Sequence, residues 1–120
     1  MKKILVVEDN VDLNLFLVKR LESSGFAVDS VEHGYAVLSY LKTGAVPDAV
    51  VLDLMLPGRS GLELLDTLIS HWADTKIFIF SAHAEHEERR MLKRYNLSGY
   101  FCKSEGMDNL IEAIKIALAE

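Results

Sequence analysis

The sequence predicts an α/β domain in which helices cover both faces of a five-stranded parallel sheet. Three observations predict this fold. Short apolar runs recur along the chain, segments with helical spacing of apolar residues separate them, and the length of 120 residues suits one compact core. Because a parallel crossover needs about the length of a helix, a β-α order repeated five times favours a doubly wound sheet.

Five segments are predicted to be strands of this sheet. Continuous apolar runs rich in β-branched or aromatic residues are typical of strands that are buried on both faces. Residues 4–7, 49–52 and 77–80 have this pattern. Two weaker strands are predicted at residues 27–31 and 99–102.

Apolar residues at helical spacing predict three helices in the first part of the chain. Asn10 is placed to cap the start of the first helix and Gly25 to end it, and the second helix is expected to end near Gly44. The inward-facing stripes are expected to be Leu13, Phe16, Leu17 and Leu21 in the first helix, Val37, Leu38 and Leu41 in the second, and Leu62, Leu65, Leu68, Ile69 and Trp72 in the third.

Two further helices are predicted towards the carboxyl end. The charged segment 84–95 is expected to be helical, with Met91, Leu92 and Tyr95 as its inner contacts. The last helix has the clearest amphipathic stripe. This stripe consists of Met107, Leu110, Ile111, Ile114, Ala117 and Leu118. We therefore expect residues 1–120 to form a single domain.

Charge and apolar content argue against several classes of protein. The formal net charge of −5, from 18 acidic and 13 basic residues, disfavours direct nucleic-acid binding by this domain. No apolar run is long enough to span a bilayer, and Met1, Lys2 and Lys3 precede too few apolar residues for a signal peptide. Cys102 is the one cysteine, so an internal disulfide is excluded, and we interpret it as a small strand residue. We expect a cytoplasmic protein without membrane contact.

Residues with reactive or metal-binding side chains directly follow the buried strands. Glu8 and Asp9 follow the first strand, Asp53 the third, Ser81 the fourth and Lys103 the fifth. The carboxyl ends of parallel strands meet at one edge of a sheet, which is where ligands bind in such folds. Three carboxylates, one hydroxyl and one ammonium are therefore expected to converge in one pocket.

Such a pocket restricts the chemistry it can support. Two carboxylates about 4 Å apart repel by roughly 4 kcal/mol at an effective dielectric near 20, so three of them need a cation or raised pKa values. Mg²⁺ suits hard oxygen ligands that leave room for water and phosphate. Lys103 offers a second positive charge and Ser81 a hydrogen bond to phosphoryl oxygens. Asp53 is then the natural nucleophile, which would form an acyl phosphate.

These residues, at these intervals, resemble the receiver domains of two-component response regulators. The loop Asp53-Leu54-Met55-Leu56-Pro57-Gly58, followed by Gly61, resembles the phosphorylation loop of that family. The resemblance covers essentially the whole chain. It implies a flavodoxin-like three-layer sandwich with five parallel strands in the order 2-1-3-4-5.

The resemblance also implies a role for each residue near the metal and the phosphoryl group. Asp53 corresponds to the phospho-acceptor, and Asp9 and Asp53 correspond to direct Mg²⁺ ligands. Met55 occupies the position that binds the metal through its backbone carbonyl, and Glu8 corresponds to the acid that holds it through water. Lys103 corresponds to the lysine that contacts the phosphoryl group.

The switch and the partners follow from the same resemblance. Ser81 corresponds to the hydroxyl that moves towards the phosphoryl group, and Tyr100 to the aromatic residue that turns inward with it. The implied phosphodonor is a histidine kinase or a phosphotransfer protein. Homodimerisation on phosphorylation is compatible with the resemblance. Two forms of the protein stay open: a stand-alone regulator, or the receiver half of a longer transcription factor with a DNA-binding output domain outside this chain. Ser104 departs from the family pattern, because many receivers have a proline after the lysine.

Other interpretations stay open at this point. A receiver-like interaction module that no longer uses phosphate would fit the departure at Ser104. An aspartate-nucleophile phosphatase would need a second acid two residues after Asp53, where Met55 stands. No Gly-rich phosphate loop of a nucleotide-hydrolysing enzyme is present in the sequence. We therefore expect a regulatory phospho-acceptor and not an enzyme. We interpret His83 first as an exposed loop histidine, and the alternative hypothesis is that Met55 and His83 tune the lifetime of the acyl phosphate.

Overall fold

A five-stranded parallel sheet forms the centre of the protein. The computed structural model describes residues 1–56, 61–82, 90 and 93–119. The strand order is β2-β1-β3-β4-β5, and all four neighbouring pairs are parallel. The strands are β1 (Lys3–Val7), β2 (Ala27–Val31), β3 (Ala49–Leu52), β4 (Lys76–Ser81) and β5 (Gly99–Cys102). The predicted strands and their order are therefore confirmed.

Four described helices connect or follow these strands. They are α1 (Val11–Ser23), α2 (Gly34–Lys42), α3 (Gly61–His71) and a C-terminal helix (Asp108–Ala117). The helix predicted for residues 84–95 lies largely outside the described residues. None of the helices in the described ranges has the length and apolar content that a bilayer crossing requires.

The sheet divides the apolar core into two layers. Alternate side chains of each central strand point to opposite faces, so Leu5 and Val7 enter one layer while Ile4 and Val6 enter the other. The first layer packs against α2 and α3, and the second against α1 and the C-terminal helix. This alternation explains why the strand sequences are apolar throughout. Helices therefore cover both faces of the sheet whose strand ends carry the predicted site residues.

The first helix begins and ends where the sequence predicts. The side-chain oxygen of Asn10 accepts a hydrogen bond from the Leu13 N–H at 3.0 Å, which satisfies one of the free donors at the helix start. Gly25 follows the helix with φ of +95°, a conformation that side chains with a Cβ rarely adopt. The cap holds the chain immediately after Glu8 and Asp9, so it helps to fix the edge at which those acids lie.

Two predicted inner stripes were partly wrong. Phe16 of α1 is exposed, and in α3 the side chains of Leu62 and Ile69 are 46% and 38% exposed. The buried residues of α3 are Gly61, Leu64, Leu65 and Leu68, and Trp72 continues their stripe as predicted. Both sets of α3 residues fit helical spacing. Tertiary packing selects between them, because Gly61 lies against the backbone of Leu54 and so turns that side of the helix inward.

We expect Gly61→Ala to destabilise the protein. A Cβ at this position would lie 2.6 Å from the carbonyl oxygen and 2.8 Å from the carbonyl carbon of Leu54, and backbone atoms cannot rotate away as a side chain can. Overpacking of this kind costs about 1–3 kcal/mol. Urea unfolding would measure the loss, with Ser70→Ala on the exposed side of α3 as the control. Equal stability of Gly61→Ala and wild type would contradict the close approach.

Candidate functional site

The functional side chains lie at the carboxyl end of β4 or just beyond the carboxyl ends of β1, β3 and β5. The sheet pairing extends one residue past two of these ends: the Glu8 N–H donates to the Val31 carbonyl at 3.1 Å, and the Asp53 N–H donates to the Val7 carbonyl at 3.2 Å. Glu8 and Asp53 are consequently held by the backbone of neighbouring strands. The convergence predicted from the strand ends is confirmed.

Glu8 is buried at the floor of the site. Its carboxylate accepts a hydrogen bond from the Asn10 N–H at 3.0 Å and contacts the Lys103 ammonium at 2.7 Å. The buried amide of Asn14 donates to the carbonyl oxygens of Glu8 at 3.0 Å and Val31 at 3.2 Å. Sequence reasoning missed Asn14. A polar amide four residues after the Asn10 cap, on the buried side of an amphipathic helix, was the signal that could have identified it.

Asp53 has donors on both of its carboxylate oxygens. Oδ1 accepts from the Met55 N–H at 2.9 Å and from the Ser81 hydroxyl at 3.2 Å. Oδ2 lies 2.7 Å from Nζ of Lys103. With only 2% of its surface exposed, Asp53 depends on these contacts because a buried charge without partners would be costly.

Lys103 connects two buried carboxylates. Its Nζ lies 2.7 Å from an oxygen of Glu8 and 2.7 Å from an oxygen of Asp53. Burial by itself would lower the pKa of Lys103, but the hydrogen bonds and charges of Asp53 and Glu8 outweigh it, so the pKa is raised. Lys103 is therefore held as a cation in the site.

In Glu8, the effect of burial on the pKa outweighs the effect of the neighbouring hydrogen-bond donors. Burial raises the pKa of its carboxyl group, and the repulsion from Asp53 acts in the same direction. The hydrogen bonds from Lys103 and the Asn10 N–H oppose this effect without reversing it. The folded protein thus favours the neutral form of Glu8 more than the unfolded chain does.

This raised pKa predicts how stability changes with pH. Because the folded state binds the Glu8 proton more tightly, the stability that Glu8 contributes is fully present below pH 4.5 and is lost as the pH rises through its folded-state pKa. Between about pH 4 and about pH 7, we expect Glu8→Gln to gain stability relative to wild type. Urea titrations in EDTA would measure this difference, with Glu22→Gln as a surface control. A difference that stays constant over this range would refute the prediction.

The acidic residues form a group that can hold a metal ion. One carboxylate oxygen from each of Glu8, Asp9 and Asp53 lies within 4.8 Å of the others. Asp9 is exposed whereas the other two are buried, so the group is open to solvent on the Asp9 side. Three carboxylates and the Lys103 ammonium would leave two negative charges when all are ionised. Hard oxygen donors with that charge fit a divalent cation such as Mg²⁺.

The remaining predicted site residues lie around this group. Ser81 is buried and bonded to Asp53, as described above, and Tyr100 is buried in the core beside its register partner Ile79. Met55 is bonded through its N–H, while its side chain is largely exposed. His83 lies outside the described residues, so the hypothesis that it tunes an acyl phosphate stays a prediction.

The chain after Lys103 turns tightly without a proline. The Lys103–Ser104 peptide bond is trans, and Lys103–Glu105 forms a single 3₁₀ turn. The Gly106 N–H donates to the Lys103 carbonyl at 3.1 Å, and Gly106 adopts φ of +79°. Ser104 is therefore compatible with a site in which the Lys103 ammonium reaches Asp53.

Comparisons with known proteins agree with this geometry. The chain matches the family described as the response regulator receiver domain over residues 4–115. It is 32% identical over 116 residues to transcriptional regulatory protein BaeR of Escherichia coli O6:H1. The aligned region covers 97% of this chain and 48% of BaeR. It is 25% identical over 114 residues to sporulation initiation phosphotransferase F of Bacillus subtilis, which covers 95% of this chain and 91% of that protein.

A solved structure extends the likeness to the whole fold. Response regulator TrrA of Thermotoga maritima, in complex with Mg²⁺-BeF, superposes with a TM-score of 0.84 and 33% identity, over 98% of this chain and 100% of TrrA. The flavodoxin-like architecture is thereby confirmed. The chain spans about half the length of the curated transcriptional regulators that it matches. From its strand order, its acidic group and these matches, the chain belongs to the response regulator receiver domain family of two-component signalling.

Proposed function

We propose that Asp53 accepts a phosphoryl group from a phosphohistidine of a histidine kinase or phosphotransfer protein. The observation that supports this most strongly is the environment of its carboxylate. Lys103 and Ser81 each contact one of its two oxygens, and Glu8 and Asp9 lie beside it. Groups that can bind phosphoryl oxygens are therefore placed directly around a buried nucleophile.

The proposed transfer is a single displacement at phosphorus. A carboxylate oxygen of Asp53 forms the new P–O bond while the P–N bond to the donor imidazole breaks, and the electron pair of that bond stays on the imidazole. The product is an acyl phosphate. Lys103 balances the negative charge of the phosphoryl oxygens, and the Ser81 hydroxyl donates a hydrogen bond to one of them. Both groups already contact Asp53, so small movements suffice.

Mg²⁺ is the proposed cofactor of this step. Asp9, Asp53 and the backbone carbonyl of Met55 would bind it directly, and Glu8 would bind it through water. When bound, it would reduce the repulsion between carboxylates and an approaching phosphoryl group. The Mg²⁺-BeF complex of the Thermotoga maritima relative, at 33% identity, supports this assignment.

Removal of one exposed ligand should greatly reduce the effect of Mg²⁺ on stability. A ligand that binds the folded state alone stabilises it by about 2.7 kcal/mol at 100 times its dissociation constant. We expect Mg²⁺ to raise the melting temperature of wild type, and Asp9→Asn to lose most of this rise. Thermal unfolding followed by circular dichroism, with and without EDTA, measures both, and Asp12→Asn on the exposed start of α1 is the control. A full Mg²⁺ response in Asp9→Asn would exclude Asp9 as a ligand.

We further propose that phosphorylation switches an interaction surface through Ser81 and Tyr100. The half-length match to transcriptional regulators supports an output domain outside this chain, while the net charge of −5 disfavours DNA binding by this domain itself. Homodimerisation on phosphorylation belongs to the same proposal.

The domain would promote its own phosphorylation and dephosphorylation and no other reaction. A cytoplasmic location is favoured by the lone Cys102, because small secreted domains commonly depend on disulfides.

Intact-mass measurement tests the proposed function. Wild-type protein incubated with Mg²⁺ and acetyl phosphate should gain the mass of one phosphoryl group, and EDTA should prevent the gain. No gain under any condition would overturn the proposal and favour an interaction module without phosphate chemistry. Continuous release of phosphate far above one equivalent would instead indicate a phosphatase.

A further inference from the structure

The Cys102 thiol lies where the two strands that bear Ser81 and Lys103 end. Ser81 and Cys102 are register partners in the last described pair of the β4–β5 ladder. The Cys102 sulfur lies 3.6 Å from the carbonyl oxygen of Ala82 and 3.1 Å from the hydroxyl oxygen of Ser104. Cys102 as a whole is only 8% exposed. It thus contacts the residue after Ser81 and the residue after Lys103.

The chemistry of these groups fixes the direction of both hydrogen bonds. A carbonyl oxygen can only accept, so the single thiol proton must point to Ala82. The sulfur is then left as an acceptor, and the Ser104 hydroxyl must donate to it. The result is a two-bond chain that runs from Ser104 through Cys102 to Ala82. It joins the segments after β4 and β5 beyond the point where backbone pairing ends.

We propose that Cys102 and Ser104 are positioning residues that set the distance between the Ser81 hydroxyl and the Lys103 ammonium around the Asp53 phosphoryl group. This inference rests on the phosphorylation proposed above. Neither Cys102 nor Ser104 would touch the phosphoryl group. They act through the backbone, because Ala82 adjoins Ser81 in the chain, and Lys103 lies between Cys102 and Ser104.

The geometry explains why such a connection matters at this place. Ser81 reaches one oxygen of Asp53 and Lys103 reaches the other, so their separation must suit a group that both contact. Productive sites hold their groups to within about 0.5 Å. The turn at Lys103–Glu105 has no proline to stiffen it. The hydrogen bond to Cys102 fixes the Ser104 side of that turn to the buried end of β5.

Kinetics of phosphorylation test the inference with four variants. Cys102→Ala removes the central group, Ser104→Ala removes the outer donor, and the double variant removes both. Cys102→Ser restores a group that can donate and accept. The rate of mass gain is measured for each with acetyl phosphate and Mg²⁺, and Mg²⁺ affinity is measured by calorimetry. Ser39→Ala is the matched control, since its exposed hydroxyl donates to the Tyr35 backbone carbonyl within α2.

Loss of one neutral hydrogen bond corresponds to a change of about two- to tenfold. We expect Cys102→Ala and Ser104→Ala each to slow phosphorylation by about this factor. The double variant should be no slower than the slower single variant, because both act on one chain. Cys102→Ser should be faster than Cys102→Ala, and Mg²⁺ affinity should be unchanged, since neither Cys102 nor Ser104 is among the proposed metal ligands.

Each alternative result has a defined meaning. A wild-type rate in Ser104→Ala would overturn the inference, and this variant changes only an exposed side chain, so it should fold. Additive losses in the double variant, or a parallel loss of Mg²⁺ affinity, would overturn it too, since they indicate general packing effects. A wild type that gains no phosphoryl group would instead overturn the proposed function, and the inference with it.

Discussion

Asp53→Asn is expected to gain no phosphoryl mass under conditions in which the wild type gains one. Asparagine has nearly the same shape and keeps an oxygen that can accept from the Met55 N–H and the Ser81 hydroxyl. It lacks the carboxylate oxygen that would attack phosphorus, so the reaction loses its nucleophile. Intact mass after incubation with Mg²⁺ and acetyl phosphate measures the outcome. This is the largest effect that we predict.

The controls for Asp53→Asn separate chemistry from folding. Asp66→Asn removes a carboxylate from the exposed side of α3 and should be phosphorylated normally. Hydroxylamine should remove the added mass from the wild type, because it attacks acyl phosphates and leaves phosphate esters of serine intact. An equal mass gain in Asp53→Asn would place the phosphoryl group on another residue, and the two neighbouring acids, Glu8 and Asp9, would be the next to replace.

Lys103→Met is expected to slow phosphorylation by about 10²-fold while Mg²⁺ still binds. Removal of one donor that stabilises developing charge typically costs about 10²- to 10³-fold in rate. Methionine is close to lysine in length, so the packing of the stem is largely kept. The ammonium bridges Glu8 and Asp53, and its loss leaves the acidic group more negative, which should favour a divalent cation. The rate of mass gain and calorimetric Mg²⁺ binding measure the two effects.

A matched lysine distinguishes this local effect from a change in net charge. Lys115→Met on the exposed side of the C-terminal helix alters the formal charge by the same amount and should react at the wild-type rate. If Lys103→Met were phosphorylated as fast as Lys115→Met, Lys103 would have no part in phosphoryl transfer. If it lost Mg²⁺ binding as well, its main function would be to hold the acidic residues in place.

Asp9 and Lys103 are expected to have different electrostatic roles in the site. The ammonium lies against the two buried acids, Glu8 and Asp53, while Asp9 is exposed. The Lys103 ammonium therefore supplies one positive charge beside the buried acids. The exposed side of the group, at Asp9, leaves room for a metal ion as the second cation. Replacement of Asp9 should weaken Mg²⁺ binding more than Lys103→Met does. Replacement of Lys103 should change the rate of phosphorylation more than it changes Mg²⁺ binding.

The strands and the edge of the sheet could be predicted because their signals are local. The apolar runs before Glu8, Asp53 and Ser81 are continuous, since both faces of each central strand are buried. Once the strands are parallel, their carboxyl ends must share an edge, so the convergence of the site follows from topology. The cap at Asn10 is local as well, and it was confirmed for the same reason.

The wrong predictions concern choices between patterns that fit a helix equally well. Leu62 and Ile69 have helical spacing, and so do the residues of α3 that are in fact buried. The close approach of Gly61 to Leu54 decides between them, and that contact depends on how α3 packs against the loop after β3. Asn14 was missed because its two acceptors lie far apart in the sequence: the Glu8 carbonyl follows β1, and the Val31 carbonyl ends β2.

By itself, the sequence determined the fold class, the strand order through its family resemblance, and the set of acids, hydroxyl and ammonium at one edge of the sheet. Tertiary structure decided how these groups are paired. It places Lys103 between Glu8 and Asp53, and it joins the segments beyond β4 and β5 through Cys102. The physical reason is distance along the chain. Apolar patterns and caps act over a few residues, whereas a contact between residues 50 positions apart, as in the Lys103–Asp53 pair, depends on strand register and helix packing together.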